Sequence, residues 1–274
     1  MYRPILMFVL MLPTFIIIDS VTVNGMQLLD NFGHVVFFCC FFMNYLRGCG
    51  IAVIARKIKD KMSNSMGDRH MSEELKIYDE NQTEIGVADR DEVHKIGYWH
   101  QTFQCWFVDQ NDDMDYIYLQ KRSNDKKDFP NLLDITAAGH LLSTETVADG
   151  VREVEEELGI DVHFNELISL GVIEDPIETK SFLDREWAHV FLYRLKESDE
   201  FNLQQEEVSG IVKSTFQDFY DLCFDKKKEI RVNGFEMREL GERTIVNRNI
   251  SLEDIVPHRK AYLQQVVKRI ADYI

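Results

Sequence analysis

One stretch constrains this chain more than any other: Glu145–Leu158, closed by Gly159. Val147, Val151, Val154 and Leu158 recur at i, i+4, i+7 and i+11, the spacing of a single apolar stripe on an α-helix. A glycine directly after the last apolar residue is the expected helix stop. The spacing predicts a helix over 145–158. On a wheel turning about 100° per residue, the four apolar residues occupy one sector, and Asp149, Glu153, Glu156 and Glu157 fall outside it. Glu153, Glu156 and Glu157 stand at i, i+3 and i+4, so their carboxylates converge. Most charge runs are solvated helix faces. This one carries a conflict, because Asp149/Glu153 and Glu153/Glu157 are like-charged i,i+4 pairs at roughly 0.2–0.5 kcal/mol each. Acids near the C-terminal end also oppose the helix dipole. No lysine shares the face, and Arg152 can pair with Glu156 without neutralising the set. A divalent cation would remove the conflict, and carboxylate oxygens on a rigid element suit Mg²⁺ or Mn²⁺. Spacing alone leaves the solvated face and the metal site both open.

Around this helix the pattern is mixed. Trp99–Asp109 reads as an aromatic-rich strand, Asn111–Asp115 as a polar turn and Tyr116–Gln120 as the returning strand of a hairpin. Lys121–Asn131 is a charged loop containing Pro130, and Leu132–Ala138 is a short, mostly apolar run. Leu167–Ile173 and Trp187–Arg194 read as further strands, Phe216–Phe224 as a helix and His258–Ile274 as a closing amphipathic helix. Residues 72–97 read as polar, with a turn near Asn81 and Gly86. Strands and helices alternate without a repeat, which predicts an α/β fold with a mixed sheet flanked by helices. Trp99, Trp106 and Phe107 fit core packing better than base stacking.

Charge narrows the partners. The formal net charge is −16, so nucleic acid is not an expected partner. Residues 1–71 carry seven basic and four acidic residues, leaving 24 basic against 43 acidic for the rest. A protein this acidic needs a local cation source to handle an anionic substrate, and metal ions supply one. The cysteines, Cys39, Cys40, Cys49, Cys105 and Cys223, show neither a zinc spacing nor a disulfide framework.

Residues 1–70 differ from the remainder. Ile5–Ile18 and Val35–Ile54 are apolar runs, followed by the basic cluster Arg56–Lys61. One reading is a signal-like segment and an imperfect membrane helix, with the basic cluster holding the following domain in the cytoplasm. The other, which the Pro13 interruption and the internal Arg47 favour, is upstream sequence ahead of a start at Met66 or Met71. The expected location is therefore the cytoplasm, with a membrane contact only if residues 1–65 are real. Residues 71–274 form the expected main domain, with its core over about 95–225 and a C-terminal helical extension. A homodimer is compatible with the chain.

Gly139, Glu145 and Arg152-Glu153-Val154-Glu155-Glu156-Glu157-Leu158-Gly159-Ile160 together resemble the Nudix box, G-x5-E-x7-R-E-U-x-E-E-x-G-U with U a bulky aliphatic. The second half is complete. Six residues rather than seven separate Glu145 from Arg152, which bears on the role of Glu145 and not on the metal-binding half. The resemblance implies a Nudix α/β/α sandwich and metal-dependent hydrolysis of an organic, nucleoside-type diphosphate by a metal-activated water. It also implies Mg²⁺ or Mn²⁺ on Glu153, Glu156 and Glu157. Gly139, Glu145, Arg152 and Gly159 would be structural, with Arg152 bracing the loop before the helix. Glu206 and Glu207 sit where many Nudix enzymes place a general base, and Glu207 is the candidate for that role.

The flanks resemble a Nudix relative, isopentenyl-diphosphate isomerase, in His100-Gln101-Thr102-Phe103, Leu119-Gln120-Lys121-Arg122-Ser123, Phe129-Pro130 and Thr136-Ala137-Ala138-Gly139-His140. His100 and His140 match isomerase metal histidines, and Asp184 and Glu186 match its acidic ligands. His140 and Glu186 are thus further metal candidates. Ala138 stands where isomerases carry their active-site cysteine, which disfavours isomerisation. Lys121 and Arg122 are candidates to grip substrate phosphates. The alternatives to hydrolysis are an isomerase-like enzyme and a non-catalytic nucleotide-binding module.

Overall fold

The computed structural model describes residues 21–23, 26–28, 73–179, 182–238 and 241–274. Contacts divide the chain into 1–70 and 71–274. In the first unit a short antiparallel pair, Val21–Val23 with Met26–Leu28, is described. The apolar runs read as anchor or upstream sequence lie outside the described residues. Among the described residues no helix is long and apolar enough to cross a membrane.

The second unit is built on one eleven-stranded mixed sheet. Its strands are β1 (Glu74–Tyr78), β2 (Glu84–Asp89), β3 (Trp99–Asn111), β4 (Met114–Arg122), β5 (Leu133–Asp134) and β6 (Ala137–His140). They continue as β7 (Ile168–Glu178), β8 (Leu183–Arg194), β9 (Val208–Thr215), β10 (Ile230–Met237) and β11 (Arg243–Ile250). The long path runs β11-β10-β9-β4-β3-β8-β7, with β1 and β6 also paired to β3, β2 to β1 and β5 to β4. The β3/β8 pair is parallel and the others are antiparallel.

Period-two alternation sends the sheet's apolar residues to two faces. Phe103, Cys105, Phe107, Phe191 and Tyr193 pack with Val154 and Leu158 of helix α2 (Arg152–Leu158). Trp106, Val108, Ala188, Val190 and Leu192 pack with helix α3 (Phe216–Cys223) and helix α4 (Lys260–Ala271). Helices therefore cover both faces, giving the expected α/β/α sandwich. Trp106 and Phe107 are fully buried, and Trp99 stacks on Trp187. Burial raises the thiols of Cys105 and Cys223, so neither is a reactive thiolate.

The structure differs from the sequence reading in three places. The helix expected from Glu145 begins later: a 3₁₀ turn at Asp149–Val151 leads into α2 at Arg152. Local side-chain bonds compete for the backbone before it. Asp149 accepts from the backbone N–H and the hydroxyl of Thr146 at 2.8 and 2.7 Å, and Glu145 accepts from the Leu142 N–H at 2.8 Å. Residues 72–97, read as polar, form β1, β2 and helix α1 (Arg90–Ile96). The sheet also extends beyond the expected core limit near 225 through β10 and β11, and β9 too had no counterpart in the sequence reading.

Candidate functional site

Helix α2 stands over β6, and that contact decides which glutamates lose solvent. Glu157 is 3% exposed. Its Oε2 accepts from the Ala138 N–H at 3.2 Å and from the Gln120 amide at 3.1 Å. Burial, then the charge of Glu153, pushes its carboxyl up to about 8. Burial pushes Glu153 up to about 7, against the pull of Arg152. Among the described residues no cation forms an ion pair with Glu157. Glu156 lies on the open side, 2.9 Å from Arg152 Nη1. A buried Glu157 with no ion pair, beside a largely covered Glu153 that pairs only with Arg152 among the described residues, fits a divalent cation.

Arg152 ties the helix to the preceding loop. Its Nε donates to Glu145 at 2.5 Å, one Nη2 bond reaches the His140 carbonyl at 3.2 Å, and Nη1 lies 2.6 Å from Glu153. Glu145 thus meets Arg152 from outside the helix, whatever the residue count between them. Gly159 ends the helix in the left-handed region at φ 69°, with the Asn202 carbonyl 2.6 Å from where a Cβ would stand. At Gly139 a Cβ would lie 2.1 Å from a Glu153 carboxylate oxygen. Gly139→Ala is therefore expected to push Glu153 aside and weaken Mn²⁺ binding by about tenfold or more, as loss of metal-site support typically does. An Mn²⁺ titration of the folded variant checks this, and unchanged affinity would remove Glu153 from the ligand set.

Beside the acidic helix lies a second cluster. His94, His100, His140 and Asp184 bring one ligand atom each within 4.8 Å of one another. Asp184 Oδ1 is 3.5 Å from His94 Nε2 and 3.3 Å from His100 Nε2, yet all three atoms are buried without a hydrogen-bond partner. His100 Nδ1 meets the Tyr98 carbonyl at 3.2 Å, which leaves Nε2 for a ligand. Burial, with His100 and Arg90 nearby, holds His140 well below its ordinary value, in the neutral form a metal requires. Orphaned buried donors facing one point fit an imidazole-rich metal centre.

Sheet register makes this cluster. His140 lies opposite Thr102 across β6/β3, and Glu186 lies opposite His100 across β3/β8. His140 and Asp184 are brought together. Glu186 is not one of the four; its Oε2 accepts from Thr102 Oγ1 at 2.9 Å and Gln104 Nε2 at 2.8 Å. Sequence reasoning missed His94, which sits on α1. The signal was present: Asp89 caps the helix, Asp91 and Glu92 occupy its first turn and Gly97 closes it.

The basic candidates are separated. Lys121 pairs with Glu236 at 2.7 Å. Arg122 holds Asp134 at 2.8 Å and the Asp128 carbonyl through Nε and Nη2 at 3.2 and 2.9 Å. Lys126, missed in the sequence, pairs with Glu207. It also acts electrostatically on both Glu157 and His140. Glu207 in turn raises Glu157.

The NUDIX domain model matches residues 99–232. An uncharacterised Nudix hydrolase of Clostridium acetobutylicum is 38% identical over 204 residues, covering 74% of this chain and 99% of that protein. Isopentenyl-diphosphate Delta-isomerase 1 of Aromatoleum aromaticum is 29% identical over 125 residues, covering 45% of this chain and 68% of that protein. A crystal structure from Deinococcus radiodurans, 21% identical, aligns over 57% of this chain and 91% of its own with a TM-score of 0.43. The Clostridium match spans nearly the whole relative, and with it the chain belongs to the Nudix hydrolase family.

Proposed function

We propose that this chain hydrolyses the phosphoric anhydride of a small organic diphosphate, of nucleoside type, using Mg²⁺ or Mn²⁺ on the acidic helix. The observation that carries this is the burial of Glu157 against β6 with no ion-pair partner among the described residues, beside a largely covered Glu153. Glu153 and Glu157 would hold the cation from the buried side and Glu156 from the open side. A bound divalent cation would lower the pKa of water and neutralise charge building on the phosphoryl oxygens. Glu207 is the group inferred to take the proton. Lys126, although paired with Glu207, is inferred to meet the substrate phosphates because its charge acts on both Glu157 and His140, whereas Lys121 and Arg122 are held by Glu236, Asp134 and the Asp128 carbonyl. Gly139, Glu145, Arg152 and Gly159 keep the helix and its entry loop in place.

A phosphate-release screen over nucleotide sugars, dinucleotides, coenzyme A and prenyl diphosphates with Mg²⁺ or Mn²⁺ tests the reading. Turnover of at least one class is expected, and failure of all would favour the non-catalytic module. The histidine cluster favours a second reading, isomerase-like handling of a prenyl diphosphate. Against it, the Ala138 methyl can neither give nor take a proton, and Cys105 is fully buried. The cluster itself is proposed as a second metal centre of His94, His100, His140 and Asp184, with Glu186 beside it. His94→Ala is expected to remove one equivalent of tightly bound transition metal, read by elemental analysis, while Mg²⁺ binding at α2 persists.

A further inference from the structure

The family match ends at residue 232, yet the segment after β11 returns to the sheet at β5. Ile255 bridges in parallel to Leu133 of β5, and the Val256 N–H donates to the Leu133 carbonyl at 2.8 Å. This run delivers His258 between two buried carboxylates. Its Nε2 lies 2.9 Å from Asp134 Oδ1 and its Nδ1 2.6 Å from Asp175 Oδ2. Both ring nitrogens face acids, so the ring donates twice, as an imidazolium. Burial opposes that charge, but Asp175 and Asp134 outweigh it and hold the ring well above its ordinary value.

The contacts continue towards the site. The other oxygen of Asp134 takes Arg122 Nη1 at 2.8 Å, and Arg122 clasps the Asp128 carbonyl with Nε and Nη2. Asp128 belongs to the loop between β4 and β5 that also carries Lys126. The Ser123 N–H at the loop's start donates to the Glu207 carbonyl at 2.9 Å. From His258 to Lys126 the chain of bonds and short backbone has no gap.

Pinning α4 is a weak reason for such a cluster. That helix already buries Tyr262, Leu263, Val266, Val267 and Ile270. A buried ion cluster contributes little net stability over apolar packing, whereas it does specify one arrangement of its members. What these ions arrange is the loop.

We infer that His258 is a positioning residue of the diphosphate site: through Asp134 and Arg122 it holds the 123–131 loop in the arrangement that presents Lys126 to substrate. The inference rests on the reading of Lys126 as a phosphate contact. It makes the segment that carries His258, which lies beyond the family match, part of the site.

The test is a double-mutant cycle on the full chain, reading affinity for methylenediphosphonate in the presence of Mg²⁺ by calorimetry. Lys126→Ala is expected to weaken binding about tenfold, the equivalent of one charge-assisted hydrogen bond. His258→Gln is expected to weaken it to a similar degree and to speed amide hydrogen exchange over 123–131. The double variant is expected to bind no more weakly than Lys126→Ala alone, because both remove the same contact. Unchanged affinity in His258→Gln, or fully additive losses in the pair, would overturn the inference while leaving Lys126 a phosphate contact. Unchanged affinity in Lys126→Ala would remove that reading and the inference with it. If His258→Gln does not fold, Arg122→Lys cuts the same chain by releasing the Asp128 carbonyl. It is expected to give the same non-additive result with Lys126→Ala, and additive losses there count equally against the inference.

Discussion

Glu157→Gln is expected to lower kcat/KM by about 100-fold or more, a loss of roughly 3 kcal/mol of transition-state stabilisation, while the metal-free variant is more stable than the parent above neutral pH. The two effects have one cause. Glu157 is buried, and its carboxyl is pushed up to about 8 by burial and by Glu153. Glutamine keeps the volume and an oxygen that can still accept from the Ala138 N–H. It removes the charge, which is the part a cation needs and the part that burial resists. A role in packing alone predicts the reverse pairing, with lost stability and retained turnover in the folded fraction. Thermal melts in a chelator beside kinetics in Mg²⁺ distinguish them, and full turnover by the variant would sink the ligand assignment.

Metal-free protein is expected to lose stability as pH rises from about 6.5 through 8, and a divalent cation is expected to reverse the loss. The folded carboxyls of Glu153 and Glu157, at about 7 and about 8, lie above the ordinary value of 4.5. A raised folded value means stability that is complete below 4.5 and is lost as pH climbs through the folded values. The histidines work the other way. His100 and His140 are held below 6.5, chiefly by burial, so their contribution falls away under acid and is constant above 6.5. Between 6.5 and 8 the glutamates therefore set the slope. His258, held well above its ordinary value, adds to that slope, because its contribution starts to fall as pH passes the unfolded value of about 6.5. Cation binding should displace protons from the glutamates, so its affinity should rise over this window. Melting temperature against pH, with and without Mn²⁺, reads both; a flat metal-free profile from 6.5 to 8 would contradict the placement of the two carboxyls.

Much of the site was legible because its signals are local. The four apolar residues from Val147 to Leu158 and the glutamates beside them declare a helix by periodicity. Gly139, structural by the resemblance, proves to be a close approach to Glu153. The β3/β4 hairpin, β7, β8, α3 and α4 announce themselves by apolar pattern. The start of α2 did not, since Thr146 and Glu145 turn their bonds to the loop. Strands β9, β10 and β11 also escaped the pattern. β11 is an edge strand with half of its residues solvent-exposed, Ile245 at 81% among them, so apolar alternation marks it poorly.

The sequence by itself determined the family's acidic helix, its order of glutamates and the absence of a cysteine at Ala138. These depend on residues within a few positions of one another. Only the tertiary structure decided which glutamates are stripped of water, because that follows from the contact of α2 with β6. It alone added His94, from α1, to the His100, His140 and Asp184 that the resemblance had named and that the pairing of β3 with β6 and β8 brings together. It alone carried His258 to Asp134 and Asp175. Solvent exclusion and convergence are properties of long-range pairing, and long-range pairing leaves no local period in a chain to be read.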